Sequence, residues 1–173
     1  MRELILGGAR SGKSLMAEQL ALATDKRLIY IATATVLDSE MANRVKHHQD
    51  RRGERWQLVE EPYALADKLQ RYEATDHCIL VDCLTLWLTN LLMLEDDRRF
   101  EKEVQALLDA IGDYQGHVIF VSNEVGLGIV PLGEINRRFV DEAGFLHQAI
   151  GKICDRVVFM IAGIPQVLKG ASI

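Results

Sequence analysis

The 173-residue chain has three cysteines, three prolines and no long apolar run, and each shortage removes a class of protein. Cys78, Cys83 and Cys154 are odd in number and form no C-x-x-C pair, which argues against a disulfide framework or a zinc site. Set among apolar residues, they read as buried free thiols. No stretch approaches the roughly 20 apolar residues of a transmembrane helix, so no membrane span is expected. Met1-Arg2-Glu3 leads straight into an apolar run without a signal-peptide pattern, and the expected location is cytoplasmic. Basic excess is missing too. The 20 Lys and Arg are outnumbered by 25 Asp and Glu, a formal charge of −5, so no nucleic-acid partner held by bulk electrostatics is expected. An anionic ligand has to be met by a local cluster instead. No internal repeat, low-complexity tract or linker divides the chain, and one domain over 1–173, long enough for a full core, is expected.

What the sequence does have is five short apolar runs, Leu4–Leu6, Leu28–Ala32, Cys78–Val81, Val118–Val121 and Val157–Ile161, with longer helical-looking segments between them. None of the prolines interrupts a run. The alternation predicts an α/β fold of the P-loop NTPase type, a mainly parallel sheet with helices on both faces. In such sheets the ligand sits at the carboxyl ends of the strands, so the residues just after each run carry the functional information.

The first run ends in Gly7-Gly8-Ala9-Arg10-Ser11-Gly12-Lys13-Ser14, which fits G-x-x-x-x-G-K-[ST]. A helix-like mixture of Leu15, Met16, Leu20 and Leu22 with alanines follows, giving the strand–loop–helix context the motif needs. Glycines let the backbone N–H groups turn inward on phosphate oxygens, and the helix N-terminus adds partial positive charge. Lys13 is expected to reach the β- and γ-phosphates and the Ser14 hydroxyl to ligate Mg²⁺.

After the second run come Ala32-Thr33-Ala34-Thr35 and then Asp38 and Ser39, either of which can cap a polar helix expected over about 40–52. That helix carries Arg44, His47, His48, Gln49, Asp50, Arg51 and Arg52, and Met41, Val45 and His48 share one of its faces. A histidine pair on a polar helix is commonly a solvated surface. Arginines beside it favour phosphate recognition, and neutral imidazole is a competent nucleophile at phosphorus. The third run ends in Asp82, placed to assist Mg²⁺ binding, to cap the next helix, or both. That helix, Leu84 to Leu94, is apolar almost all round, which predicts burial in the core or in a subunit interface. The fourth run leads into Ser122-Asn123-Glu124-Val125-Gly126-Leu127-Gly128-Ile129-Val130-Pro131, either a loop over the ligand or a glycine-rich turn. Helices are expected over Arg98 to Tyr114 and over 134 to 150, and Gly163 to Ile173 reads as a short tail.

Taken together, these segments resemble the bifunctional adenosylcobinamide kinase / adenosylcobinamide-phosphate guanylyltransferase family of adenosylcobalamin biosynthesis. The residues that carry the resemblance run through most of the chain. They are the 7–14 loop, Tyr30-Ile31-Ala32-Thr33-Ala34, and Asp38-x-Glu40-Met41-x-x-Arg44-Val45-x-x-His48-x-x-x-Arg52, with Trp56 and Glu60 beyond. Val81-Asp82-Cys83-Leu84-Thr85, Thr89-Asn90-Leu91-Leu92 and the 122–131 segment complete the set. Gly53 stands where the family is expected to have proline. The resemblance implies phosphorylation of adenosylcobinamide with ATP or GTP. It further implies transfer of GMP from GTP to adenosylcobinamide phosphate through a GMP–histidine intermediate, releasing pyrophosphate. Spacing from Arg44-Val45 selects His48 as that nucleophile, with His47 adjacent. Ala32 to Ala34, Gln49 to Arg52, Glu60 and Asp82 are then nucleotide contacts, and the implied assembly is a homo-oligomer, a trimer. A plain P-loop small-molecule kinase shares everything except the need for His48. A GTPase-type switch would call for N-K-x-D, and no such stretch occurs.

Overall fold

The computed structural model describes residues 1–35 and 55–173. The helix expected over 40–52, with its cap and with His47 to Arg52, lies outside the described residues. Seven strands and five helices follow one another in the described chain: β1 (Arg2–Gly7), α1 (Lys13–Leu22), β2 (Arg27–Ala32), β3 (Trp56–Glu60), α2 (Leu65–Arg71), β4 (His77–Asp82), α3 (Leu84–Leu92), α4 (Asp97–Asp113), β5 (His117–Asn123), α5 (Glu134–Ile153), β6 (Arg156–Ile161) and β7 (Ile164–Lys169).

All seven strands form one sheet in the order β3-β2-β4-β5-β1-β6-β7. Every pairing is parallel except β6 with β7. The central strands are buried on both faces, with Leu4, Ile5, Ile79, Leu80, Val118, Ile119 and Phe120 fully enclosed, which is why they read as continuous apolar runs rather than as alternation. On one face α1 packs Ala17 and Ala21 against Ile5, Leu80 and Val121. On the other, α2, α3, α4 and α5 share a core built on Leu69, Trp87, Leu107 and Leu146. At the amino ends of the strands the buried Glu3 carboxylate lies 2.7 Å from His117 Nε2 and accepts from Arg156 Nε at 2.6 Å. This pins β1 between β5 and β6, and a buried charge needs partners of this kind.

Two strands and one helix go beyond what the apolar runs predict. β3 and β7 are the two edges of the sheet, and each leaves most of its residues exposed, so neither carries an apolar run. The segment expected as a tail is in fact the outer half of a hairpin. Its turn, Ala162 and Gly163, has positive φ values of 52° and 80°, and Pro165 is tolerated because β7 is an edge strand. Helix α2 has no side-chain cap at its own N-cap residue; Glu61 upstream accepts from the Tyr63 and Ala64 amides instead.

The apolar helix expected over Leu84 to Leu94 is α3, which ends at Leu92 and leaves Met93 and Leu94 exposed. Leu84, Trp87, Leu88, Leu91 and Leu92 are buried within the chain itself. Its composition is therefore explained by internal packing and carries no argument for a subunit interface. Among the described residues no helix is long and apolar enough to cross a membrane.

Candidate functional site

Parallel order brings the ends of β3, β2, β4, β5 and β1 side by side at one edge of the sheet. Register places Glu60 beside Ala32, Ala32 beside Asp82, and Gly7 beside Asn123. The predicted residues from five separated segments thus share one rim. His47, His48, Gln49, Asp50, Arg51 and Arg52 are not among the residues described there.

Between β1 and α1 the chain turns through the glycine-rich loop. Gly7 has no room for a side chain: a Cβ would sit 2.5 Å from the Met160 carbonyl oxygen and 2.8 Å from Ser11 Oγ. Gly12 is the N-cap of α1 at φ 96°, a conformation that glycine adopts without a Cβ penalty. The Ser11 amide donates to the Gly8 carbonyl at 3.3 Å, and the Gly163 amide at the tip of the β6–β7 hairpin donates to the Ser11 carbonyl at 3.0 Å. The C-terminal hairpin therefore braces the loop.

Lys13 opens α1 and is itself buried. Its ammonium donates to the Gly8 carbonyl at 2.6 Å and lies 3.5 Å from Ser11 Oγ. Burial pushes its pKa below the usual lysine value, opposed by the nearby Cys83 and Asp82 groups. The ammonium is thus held inside the loop and within electrostatic reach of Asp82, two strands away. The N-cap residue of α3 is Cys83, which follows Asp82 directly. The Asp82 carboxylate stands at its strand end, on the rim with the loop. The three cysteines are buried free thiols as expected, and burial pushes the Cys83 thiol up to about 11, so it stays protonated.

Around this rim lies a polar network that composition did not reveal. The Thr33 hydroxyl donates to the Cys83 carbonyl at 2.7 Å and accepts from the Cys83 amide at 2.9 Å, joining the ends of β2 and β4. Asn123 Nδ2 donates to Thr85 Oγ1 at 3.1 Å, joining β5 to α3. The Asn90 side chain on α3 donates to the Thr33 carbonyl at 2.7 Å and the Pro62 carbonyl at 3.2 Å. The available signal was Asn90 itself, a polar residue inside a helix of leucines.

Beyond β5 the chain is tied to the same rim. The Glu124 amide donates to the Gly7 carbonyl at 3.0 Å. Its carboxylate accepts from the Gly126 amide at 2.6 Å and stands 3.8 Å from His147 Nδ1. His147 Nε2 lies 2.7 Å from the buried Ser122 hydroxyl, and burial lowers the imidazole pKa against the opposing pull of Glu124. Glu124 and His147 thus shape how the 122–131 segment leaves the sheet.

A mostly parallel sheet with flanking helices, a glycine-rich loop enclosing a lysine, and a strand-end acid beside it define an α/β protein with its polar residues gathered at the carboxyl rim. The solved structure of a Pyrococcus horikoshii protein is similar in fold, with a TM-score of 0.57 at 8% identity over 99% of this chain and 87% of that one. So is the RadB recombinase, with a TM-score of 0.51 at 15% identity over 91% and 73%. The chain belongs to the cobinamide kinase / cobinamide phosphate guanyltransferase family, whose family model matches residues 3–168. It is 55% identical over 170 residues to the bifunctional adenosylcobalamin biosynthesis protein CobP of Pseudomonas aeruginosa, covering 98% of both chains. It is 37% identical over 182 residues to the corresponding CobU protein of Salmonella typhimurium, covering 98% of this chain and 100% of that one.

Proposed function

We propose that this chain performs both reactions of its family at the carboxyl rim of the sheet: phosphorylation of adenosylcobinamide, then guanylyl transfer to the resulting phosphate. The observation that carries the assignment of residues is the convergence of the 7–14 loop, Ala32–Ala34, Glu60 and Asp82 on one rim. The 7–14 loop is read as a P-loop, in one nucleotide-binding domain over 1–173. Gly7, Gly8, Ala9, Arg10, Ser11 and Gly12 supply backbone amides to the phosphates, and Lys13 leaves the Gly8 carbonyl to meet the triphosphate charge. Ser14 and Asp82 offer oxygen donors only, the set that suits a hard cation such as Mg²⁺; when bound, Mg²⁺ neutralises charge on the β- and γ-phosphates. Among the described residues no group of three His, Cys, Asp or Glu side chains could hold a metal, and Mg²⁺ is commonly bound by one or two protein ligands plus substrate phosphates.

In the kinase step the substrate hydroxyl oxygen attacks the γ-phosphorus of ATP or GTP and the nucleoside diphosphate leaves. In the second step a His48 ring nitrogen forms a bond to the α-phosphorus of GTP, and pyrophosphate departs. An oxygen of adenosylcobinamide phosphate then displaces the imidazole, giving adenosyl-GDP-cobinamide and free His48. Two easier displacements replace one difficult one. Gln49 to Arg52 flank that histidine in sequence. Glu60 lies four strands from β1, roughly 19 Å across the sheet, so a nucleotide held in the loop has to lie extended along the rim. A carboxylate there can accept from guanine N1–H and N2–H₂ and select GTP. The test is a pair of steady-state assays, cobinamide phosphorylation with ATP alone and guanylyl transfer with GTP. Activity in the first without the second would reduce the protein to a kinase.

We also propose that the enzyme is a homo-oligomer, as the family resemblance implies, with a trimer as the specific form. Support comes from the loop between β5 and α5 rather than from α3. Leu127, Ile129, Val130 and Leu132 are between 72% and 98% exposed, on a loop whose first residue is bonded to Gly7. Single-chain proteins seldom leave such a run in water, and a second copy seated on it places a subunit boundary beside the rim. A monomer mass by light scattering at micromolar protein would exclude the assembly.

A further inference from the structure

We propose that Asn90 is a positioning residue for guanylyl transfer, its side-chain amide holding the end of β2 and the turn after β3 in fixed relation on the rim. The inference rests on the reading that Ala32–Ala34 and Glu60 contact the nucleotide. Asn90 sits on α3 between residues that serve only the core, Leu88, Leu91 and Leu92, and a half-buried amide on such a helix needs its own bonding partners. Both of its N–H bonds point at main-chain carbonyls, Thr33 at 2.7 Å and Pro62 at 3.2 Å. The Thr35 hydroxyl lies 3.4 Å from its Oδ1. Three contacts from one side chain therefore grip the chain where it leaves β2 and where it has passed β3.

The grip extends further, because Thr33 is bonded through its hydroxyl to both the amide and the carbonyl of Cys83. Asp82 is held independently by its pairing with Ala32 and Val121, so it keeps its place when the Asn90 amide is lost. Glu61, next to Pro62, is in turn fixed by the Tyr63 and Ala64 amides. Asn90 thus bonds both to the 32–34 segment and to the turn that follows Glu60. The P-loop has its own supports in Met160 and the β6–β7 hairpin, so loss of Asn90 leaves triphosphate binding there intact.

The experiment uses the full chain carrying Asn90→Ala, with Glu60→Gln as a test of the underlying reading and Thr89→Ala, an exposed neighbour on α3, as a control. The quantity read is the ratio of kcat/KM for GTP in guanylyl transfer to kcat/KM for ATP in the kinase reaction, which a loss of folded protein cannot change. Losing two hydrogen bonds to the rim is expected to lower the ratio roughly three- to tenfold in Asn90→Ala, with Thr89→Ala at the wild-type value. Should Asn90→Ala fail to fold, Asn90→Asp, which keeps the side-chain shape and removes both N–H donors, is judged by the same ratio. An unchanged ratio in the Asn90 variants with a lowered one in Glu60→Gln overturns the positioning role alone. An unchanged ratio in both overturns the nucleotide-contact reading and the inference with it.

Discussion

Lys13 is where fold and chemistry meet in one side chain. Its ammonium is buried, bonded to the Gly8 carbonyl and held near Asp82, so the charge a triphosphate needs is already in place before any ligand arrives. On the proposed mechanism both reactions hold a triphosphate in that loop, and Lys13→Ala is expected to reduce both by roughly a hundredfold or more, the scale of removing one pre-organised charge donor. Near-normal guanylyl transfer by this variant would mean that GTP binds elsewhere. Gly7→Ala makes a related test of the loop, because the added Cβ would meet the Met160 carbonyl at 2.5 Å. Activity is expected to fall in both assays, since backbone rather than a flexible side chain has to move. On the proposed mechanism the histidines separate the two chemistries. In the helix expected over 40–52, His47 points about 100° away from His48, so His47→Ala is expected to be the milder change.

At the scale of elements, what could be read depended on burial. β1, β2, β4, β5 and β6 are covered on both faces, and each left an apolar run in the sequence. β3 and β7 are covered on little more than one side, and Trp56-Gln57-Leu58-Val59-Glu60 and Ile164-Pro165-Gln166 carry no comparable mark. The places of the 7–14 loop and of Asp82 were legible because their signals are local: a spacing and a strand end. The Asn90–Thr33–Cys83 network was not, because its bonds join residues 57 and 50 positions apart. Helix α3 was legible as buried but not as to what buries it. Its apolar surface is filled from within by α4, α5 and the sheet, so Leu88→Ala is expected to cost about 2–5 kcal/mol, as for a fully enclosed leucine. Urea unfolding of the variant measures this, and a loss below about 1 kcal/mol would show that the site collapses or is covered differently.

Three titratable groups, His147, Glu3 and Glu61, make the stability of the whole molecule depend on pH, because their folded states disfavour protonation. Burial keeps His147 below its ordinary 6.5, so the unfolded chain binds the proton more readily. Its contribution to stability is complete above about 6.5 and is lost as pH falls through the lower folded value. Two carboxylates act in the same sense at lower pH. Burial alone would raise the pKa of Glu3, but its bonds from His117 and Arg156 together outweigh that and hold it below 4.5. Burial is likewise outweighed at Glu61 by the Ala64 and Tyr63 amides and by Lys68. Tm is therefore expected to decline from about pH 6.5 downward and more steeply below about 4.5, with His147→Gln removing the upper part of the decline. A melting temperature that rises on acidification would contradict this.

On the proposed mechanism one chain carries two transfers at one rim, and only the second passes through a histidine. Intact mass after incubation with Mg–GTP, on the wild type, His48→Ala and His47→Ala beside a cobinamide phosphorylation assay, separates the two transfers. A GMP adduct is expected on the wild type and on His47→Ala, and none on His48→Ala, which still phosphorylates cobinamide. An active wild type that never carries GMP would contradict the mechanism.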